Sequence, residues 1–98
     1  MIVEIQCLPS PAGTPEQRYA HVEAAIAVLA ASGLPMEVGP LGTSVEGEPD
    51  DLWPLVRRAH EAALASGADG LVSVVKVAQS ADAARATTMD DLVGKFRR

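Results

Sequence analysis

Residues 36–51 read MEVGPLGTSVEGEPDD, and the reading of this stretch decides the fold. Its first part alternates: Met36 and Val38 share one face of an extended segment, with Glu37 on the other. Its second part alternates as well, with Thr43 and Val45 on one face and Ser44 and Glu46 on the opposite one. Between them, Gly39-Pro40-Leu41-Gly42 has the composition of a tight turn. Two short alternating runs joined this way predict a β-hairpin. Gly47 and Pro49 end it, and a helix capped by Asp50 or Asp51 follows at once. Pro54 sets the start: proline is tolerated in a first helical turn, so this helix is not expected to begin much earlier. Leu52, Leu55, Val56, Ala59 and Ala63 form its apolar stripe, and Ser66-Gly67 stop it.

On the N-terminal side, Ile2–Leu8 is short and β-branched, which predicts a strand, and PSPAGTP after it predicts a loop. Thr14, Pro15 and Gln17 have the spacing of an N-cap, a first helical residue and a capping-box partner, so a helix is expected from there to Ala31. Val22, Ala25, Ile26 and Leu29 share its apolar face, with Tyr19 at the edge, and His21 falls on the solvated side. Ala20, Ala24, Ala27 and Ala31 lie opposite, either as plain helix formers in water or as a surface for close helix packing between subunits. On the C-terminal side, Gly70–Ala78 (GLVSVVKVA) predicts a fourth strand that is apolar on both faces. QSADAARA predicts a loop. Thr88 with Asp91 caps a last helix, lined by Met89, Leu92, Val93 and Phe96, with Asp90 and Asp91 at its positive end and Lys95, Arg97 and Arg98 at its negative end.

The order is β-α-β-β-α-β with an extra C-terminal helix, the split βαβ arrangement of a ferredoxin-like α+β sandwich, expected as one domain over residues 1–98. If Val3, Ile5 and Cys7 face the two helices, then Ile2, Leu8, Val72 and Val74 face away from them. A bare apolar sheet face is unstable in water, so a second copy of the chain is expected to cover it, as a dimer or tetramer.

Composition narrows the function. The 98 residues carry a net charge of −5 with no basic patch, which argues against nucleic acid. No run approaches the ~20 apolar residues of a membrane span, and the opening MIVEIQCLPS lacks the basic region of a signal peptide, so a cytoplasmic protein is expected. One cysteine allows no internal disulfide. Cys7, His21 and His60 lack metal-ligand spacing, and no nucleophile elbow, P-loop or dinucleotide fingerprint occurs. No cofactor, no metal and no catalysis are therefore expected.

The run GPLGTSVEGEPDDLWPLVRRAHEA is similar to the signature of the YkoF-like thiamine-binding protein family, UPF0045, through Pro40, Leu41, Gly42, Thr43, Glu46, Gly47, Ala59, His60 and Glu61. VEIQCLP resembles the family's first strand and VVKV its last. Leu41 stands where the family usually has methionine, and AQSADAARAT is blander than the segment expected after the last strand. The resemblance implies a ferredoxin-like subunit of a homo-oligomer, and binding of thiamine or its hydroxymethylpyrimidine portion as carrier, buffer or sensor.

With that ligand in view, four residues are candidates. Glu46 is either a solvated or interface carboxylate paired with Lys76, or an acceptor for an aminopyrimidine and a countercharge for a thiazolium. Thr43 is either a strand former bonded locally or a hydroxyl partner for a ring nitrogen. His60 is either a structural histidine or a ligand contact. Trp53 is either a core or interface anchor or a stacking platform. One pocket is expected where the hairpin meets the second helix, completed by a neighbouring subunit. Two rivals remain: an enzyme of the dimeric α+β barrel type that uses His60 as acid or base, and an ACT-like regulatory module.

Overall fold

The computed structural model describes residues 1–97, so the expected role of Arg98 at the last helix's negative end lies outside the described residues. Four strands, β1 (Ile2–Ser10), β2 (Met36–Val38), β3 (Thr43–Glu46) and β4 (Gly70–Ala78), form one antiparallel sheet in the order β2-β3-β1-β4. Helices α1 (Ala20–Ala31) and α2 (Pro49–Ala65) cover one face, and a short α3 (Met89–Val93) follows β4. This is the expected ferredoxin-like order. The hairpin forms as read: Met36 pairs with Val45 and Val38 with Thr43, and the Gly39 amide donates to the Gly42 carbonyl at 2.9 Å.

The core follows the alternation. Val3, Ile5 and Val45 point from the sheet to Ala25 and Leu29 of α1 and to Leu52, Leu55, Ala59 and Ala63 of α2, and all of these are buried. Among the described residues, no helix is long and apolar enough to cross a membrane.

Helix α1 starts later than Thr14. The capping pair does form, since the Gln17 amide donates to Thr14 Oγ1 at 3.0 Å, but it closes a turn rather than opening a helix. The Gln17 carbonyl accepts from the amides of both Thr14 and Ala20, and the His21 amide reaches back to the Ala12 carbonyl. The loop folds so tightly that a Cβ on Gly13 would lie 2.2 Å from the Gln17 carbonyl oxygen. A local motif was satisfied by a local turn, and the helix begins where that turn ends.

His21 corrects a second expectation. It is buried, not solvated, and its Nδ1 is 2.6 Å from Ser66 Oγ. The Ser66 hydroxyl donates to the Ala63 carbonyl at 2.7 Å, so Nδ1 carries the proton and donates to Ser66. The imidazole thereby closes the end of α2 against α1, with Gly67 leaving room for the ring: a Cβ there would lie 3.2 Å from Cε1. Helix α2 also departs from its expected start. Glu48 is the N-cap, without a side-chain bond, Pro49 takes the first turn, and Pro54 lies inside the helix. Pro54 is exposed, so the carbonyl that loses its partner there can turn to water.

The C-terminal segment crosses to the other side of the sheet. Thr88 and Asp91 form the expected capping box, and the Thr88 amide holds the Asp91 carboxyl below its ordinary range. Met89 is buried, while Leu92 and Phe96 remain exposed. Arg97 reaches Glu37 of β2 at 3.0 Å. The chain thus covers part of its own open sheet face, along β2 and β3. Leu8, Val72 and Val74, on β1 and β4, stay exposed at 49%, 62% and 43%.

Candidate functional site

A cavity of about 290 Å³ lies between α1, β1 and the hairpin turn. The apolar face of α1 forms its roof, through Val22, Ala25, Ile26 and Leu29. Ile5 and Cys7 of β1 and Thr43 of β3 form its floor, and Gly39–Gly42 closes one side. Strand pairing creates the opening. β1 pairs with β4 along its whole length but with β3 only from Ile2 to Ile5, so Gln6–Leu8 run on past the end of β3 with a free edge. The small side chains of Ala25 and Cys7 leave the volume unfilled. Tyr19 and Leu41 stand exposed at the rim. A larger depression of about 530 Å³ between the outer faces of α1 and α2 is an open groove on the surface.

Thr43 gives the cavity its chemistry. It is only 4% exposed, and its hydroxyl bonds to no described residue, yet the oxygen is not sealed in protein, because the cavity reaches it. It therefore faces the open volume at one end of a mostly apolar chamber, and none of the described lining residues is charged.

Behind the floor, a second polar chain crosses the sheet–helix layer. Cys7 and Ser73 are cross-strand partners on the helix-facing side of β1 and β4, with Sγ 3.6 Å from Ser73 Oγ. Ser73 Oγ is also 2.6 Å from Nδ1 of His60 on α2. His60 is therefore linked to the cavity floor, through Ser73 and Cys7, without lining it.

The four sequence candidates do not converge within one chain. Thr43 lines the cavity, Trp53 is 52% exposed near the start of α2, and His60 faces Ser73. The hairpin turn closes a pocket against α1 rather than against α2. Glu46 is an odd number of residues from Thr43, so it points to the opposite sheet face. There its Oε1 accepts from the Met89 amide at 2.5 Å, while Lys76 approaches Glu4 instead, at 3.7 Å. Glu46 thus fastens the start of α3 to the sheet. Glu46→Gln is expected to destabilise the fold by about 1–2 kcal/mol, since it weakens a charge-assisted hydrogen bond. Chemical denaturation of the two proteins measures this, and a change below about 0.3 kcal/mol contradicts the fastening role. Sequence reasoning missed the cavity itself and Ser73. The available signal was a small residue, Cys7, placed after Val3 and Ile5 on the core face. Among the described residues, no three His, Cys, Asp or Glu side chains cluster to hold a metal.

A family model described as thiamine-binding protein matches residues 3–97. A UPF0045 protein of Clostridium perfringens is 35% identical over 95 residues, which is 97% of this chain and 95% of that protein. The chain belongs to the thiamine-binding protein family. A UPF0045 protein of Synechocystis is 33% identical over 93 residues, 95% of this chain and 74% of that one. Among solved structures, a domain of unknown function from Bacillus cereus superposes with a TM-score of 0.83 at 30% identity, covering 98% of this chain and 88% of that one. A candidate thiamine biosynthesis/salvage protein of Thermotoga maritima gives 0.76 at 24% identity over 99% and 100% of the two chains, a likeness of fold. The family is named for binding rather than for a reaction, and a thiamine-related small-molecule role follows from membership. Within this chain, the family-like run that starts at Gly39 supplies one wall of the cavity and its hydroxyl.

Proposed function

We propose that this protein binds thiamine or its hydroxymethylpyrimidine portion in the cavity between α1, β1 and the hairpin, and serves as a cytoplasmic carrier, buffer or sensor. The observation that carries this reading is an apolar chamber of about 290 Å³ with the Thr43 hydroxyl, bonded to no described side chain, in its lining. That size, at the low end for small-molecule sites, suits one aromatic ring better than two. An aminopyrimidine would lie between Ile26 and the floor, with a ring nitrogen or the exocyclic amine at Thr43 and further polar atoms at the free backbone edge of Gln6–Leu8. The uncharged lining offers a thiazolium no counterion, so the cationic ring of thiamine would stay at the mouth, by Tyr19 and solvent.

The same reading includes a homo-oligomer. Leu8, Val72 and Val74 form an exposed apolar patch, and β4 is a nine-residue strand with one free edge, the kind of surface that proteins cover. Glu46 and Trp53 reach a ligand only if a neighbouring copy brings them to another chain's cavity.

Calorimetric titration of thiamine and of hydroxymethylpyrimidine tests the site. Both are expected to bind wild type at sub-millimolar concentration. Thr43→Val, which keeps the branched shape and removes the hydroxyl, is expected to weaken binding about fivefold to tenfold, the loss of one hydrogen bond. If neither compound binds wild type, the ligand assignment fails. If both bind and Thr43→Val changes nothing, the ligand stands and the cavity is not its site.

A further inference from the structure

Cys7 belongs both to the cavity and to the chain of polar atoms behind it, and the binding role uses neither its thiol nor that chain. Its sulfur lines the chamber and lies 3.6 Å from Ser73 Oγ, which lies 2.6 Å from Nδ1 of His60. The three residues come from β1, β4 and α2, and the fold brings thiol, hydroxyl and imidazole into line across a sheet–helix junction. The same chamber is lined by Thr43, whose hydroxyl bonds to no described side chain and is open to whatever enters it.

We propose that Cys7 is a modification site, deprotonated through Ser73 by His60, that captures small neutral soft electrophiles entering the cavity. The thiol proton passes to Ser73 Oγ as the Ser73 hydroxyl proton passes to His60 Nδ1. Ser73 ends as it began, a thiolate faces the chamber, and an imidazolium remains on α2. The thiolate forms a C–S bond with the electrophile's carbon, and the leaving group departs with the electron pair of the broken bond. His60 then returns its proton to water. The thiolate, not the thiol, is the nucleophile, and an adjacent base is the general means of producing it.

The groups around His60 leave its base role unobstructed. On α2, Glu61 is held by Arg57 at 2.8 Å. On β4, Lys76 lies on the opposite sheet face with Glu4, and on β1 the facing group is Cys7 itself. On α1, His21 is bonded to Ser66.

The probe is iodoacetamide, neutral and small enough for the chamber, which loses iodide as its methylene carbon bonds to sulfur. Carbamidomethylation of Cys7 is followed by intact mass in the folded protein from pH 5 to 9, with the urea-unfolded chain as reference. The folded protein is expected to react faster than the unfolded chain at pH 7, and to follow a different pH profile from it. Ser73→Ala and His60→Gln are each expected to lower the rate at pH 7 about tenfold or more and to remove that difference in profile. Ser73→Thr, which keeps the hydroxyl, is expected to retain both. Circular dichroism checks folding, and if His60→Gln does not fold, the Ser73→Ala and Ser73→Thr pair decides. Wild-type rates and pH profile in Ser73→Ala overturn the proposal, as does a folded protein whose Cys7 reacts only as fast as unfolding allows.

Discussion

Ala25→Leu is expected to abolish ligand binding while leaving the protein folded. Ala25 is 3% exposed and forms part of the cavity roof. The added branch has one open direction, into the chamber over Ile5 and Thr43. A ring that must enter a space of about 290 Å³ would then meet a leucine already in place. The loss should be about a hundredfold or more, close to 3 kcal/mol, because the ligand gives up most of its apolar burial as well as the Thr43 contact. Stability should move little. Each methylene buried in a void contributes up to about 0.8 kcal/mol, offset by whatever strain the packing imposes. Calorimetry and thermal unfolding, run side by side, separate the two effects. Ile26→Phe, at a half-buried roof position, is the companion variant if Ala25→Leu overpacks. Wild-type affinity in a folded Ala25→Leu protein places the ligand elsewhere.

The second large effect is on assembly. Val74 sits in the middle of the exposed patch on β1 and β4, 43% exposed, with Val72 on its own strand and Gln6 as its cross-strand partner. In a homo-oligomer that packs this face, Val74→Lys would bring an ammonium into an apolar interface. The effective penalty for an unpaired buried charge is several kcal/mol, enough to shift a dimerisation constant by about a thousandfold or more. Wild type is therefore expected to sediment as a dimer or tetramer at micromolar concentration, and Val74→Lys as a monomer with an unchanged circular dichroism spectrum. A Val74→Lys protein that remains oligomeric and equally stable rules out this face as the interface and turns attention to the free edge of β4. The C-terminal segment matters here, because it already covers the β2–β3 side of the same face through Met89 and the Arg97–Glu37 contact. A partner has only the β1–β4 half to occupy.

The sequence by itself determined the elements whose causes are local. Alternation at Met36–Val38 and Thr43–Glu46 around a glycine-flanked turn could form only a hairpin, and it set which side chains share a face. The heptad-like spacing of Leu52, Leu55, Ala59 and Ala63 put all four in the core. Thr88 and Asp91 capped α3 because both partners lie within one turn. The family was also legible, since its signature is carried by a contiguous run. Tertiary structure decided the rest, and the reason is range. Thr14 and Gln17 formed their bond but not their helix, because the Ala12 carbonyl, the Gln17 carbonyl and the backbone beside Gly13 completed a competing loop. His21 can be buried because Ser66, 45 residues away, accepts a hydrogen bond from its ring. Glu46 is engaged by an amide 43 residues on, and Cys7 by a hydroxyl 66 residues on. The cavity is the extreme case: it is volume left between α1, β1 and the hairpin where Ala25 and Cys7 are small and β3 stops short. No periodicity encodes a void, because a void is set by how elements pack and not by what any one of them contains.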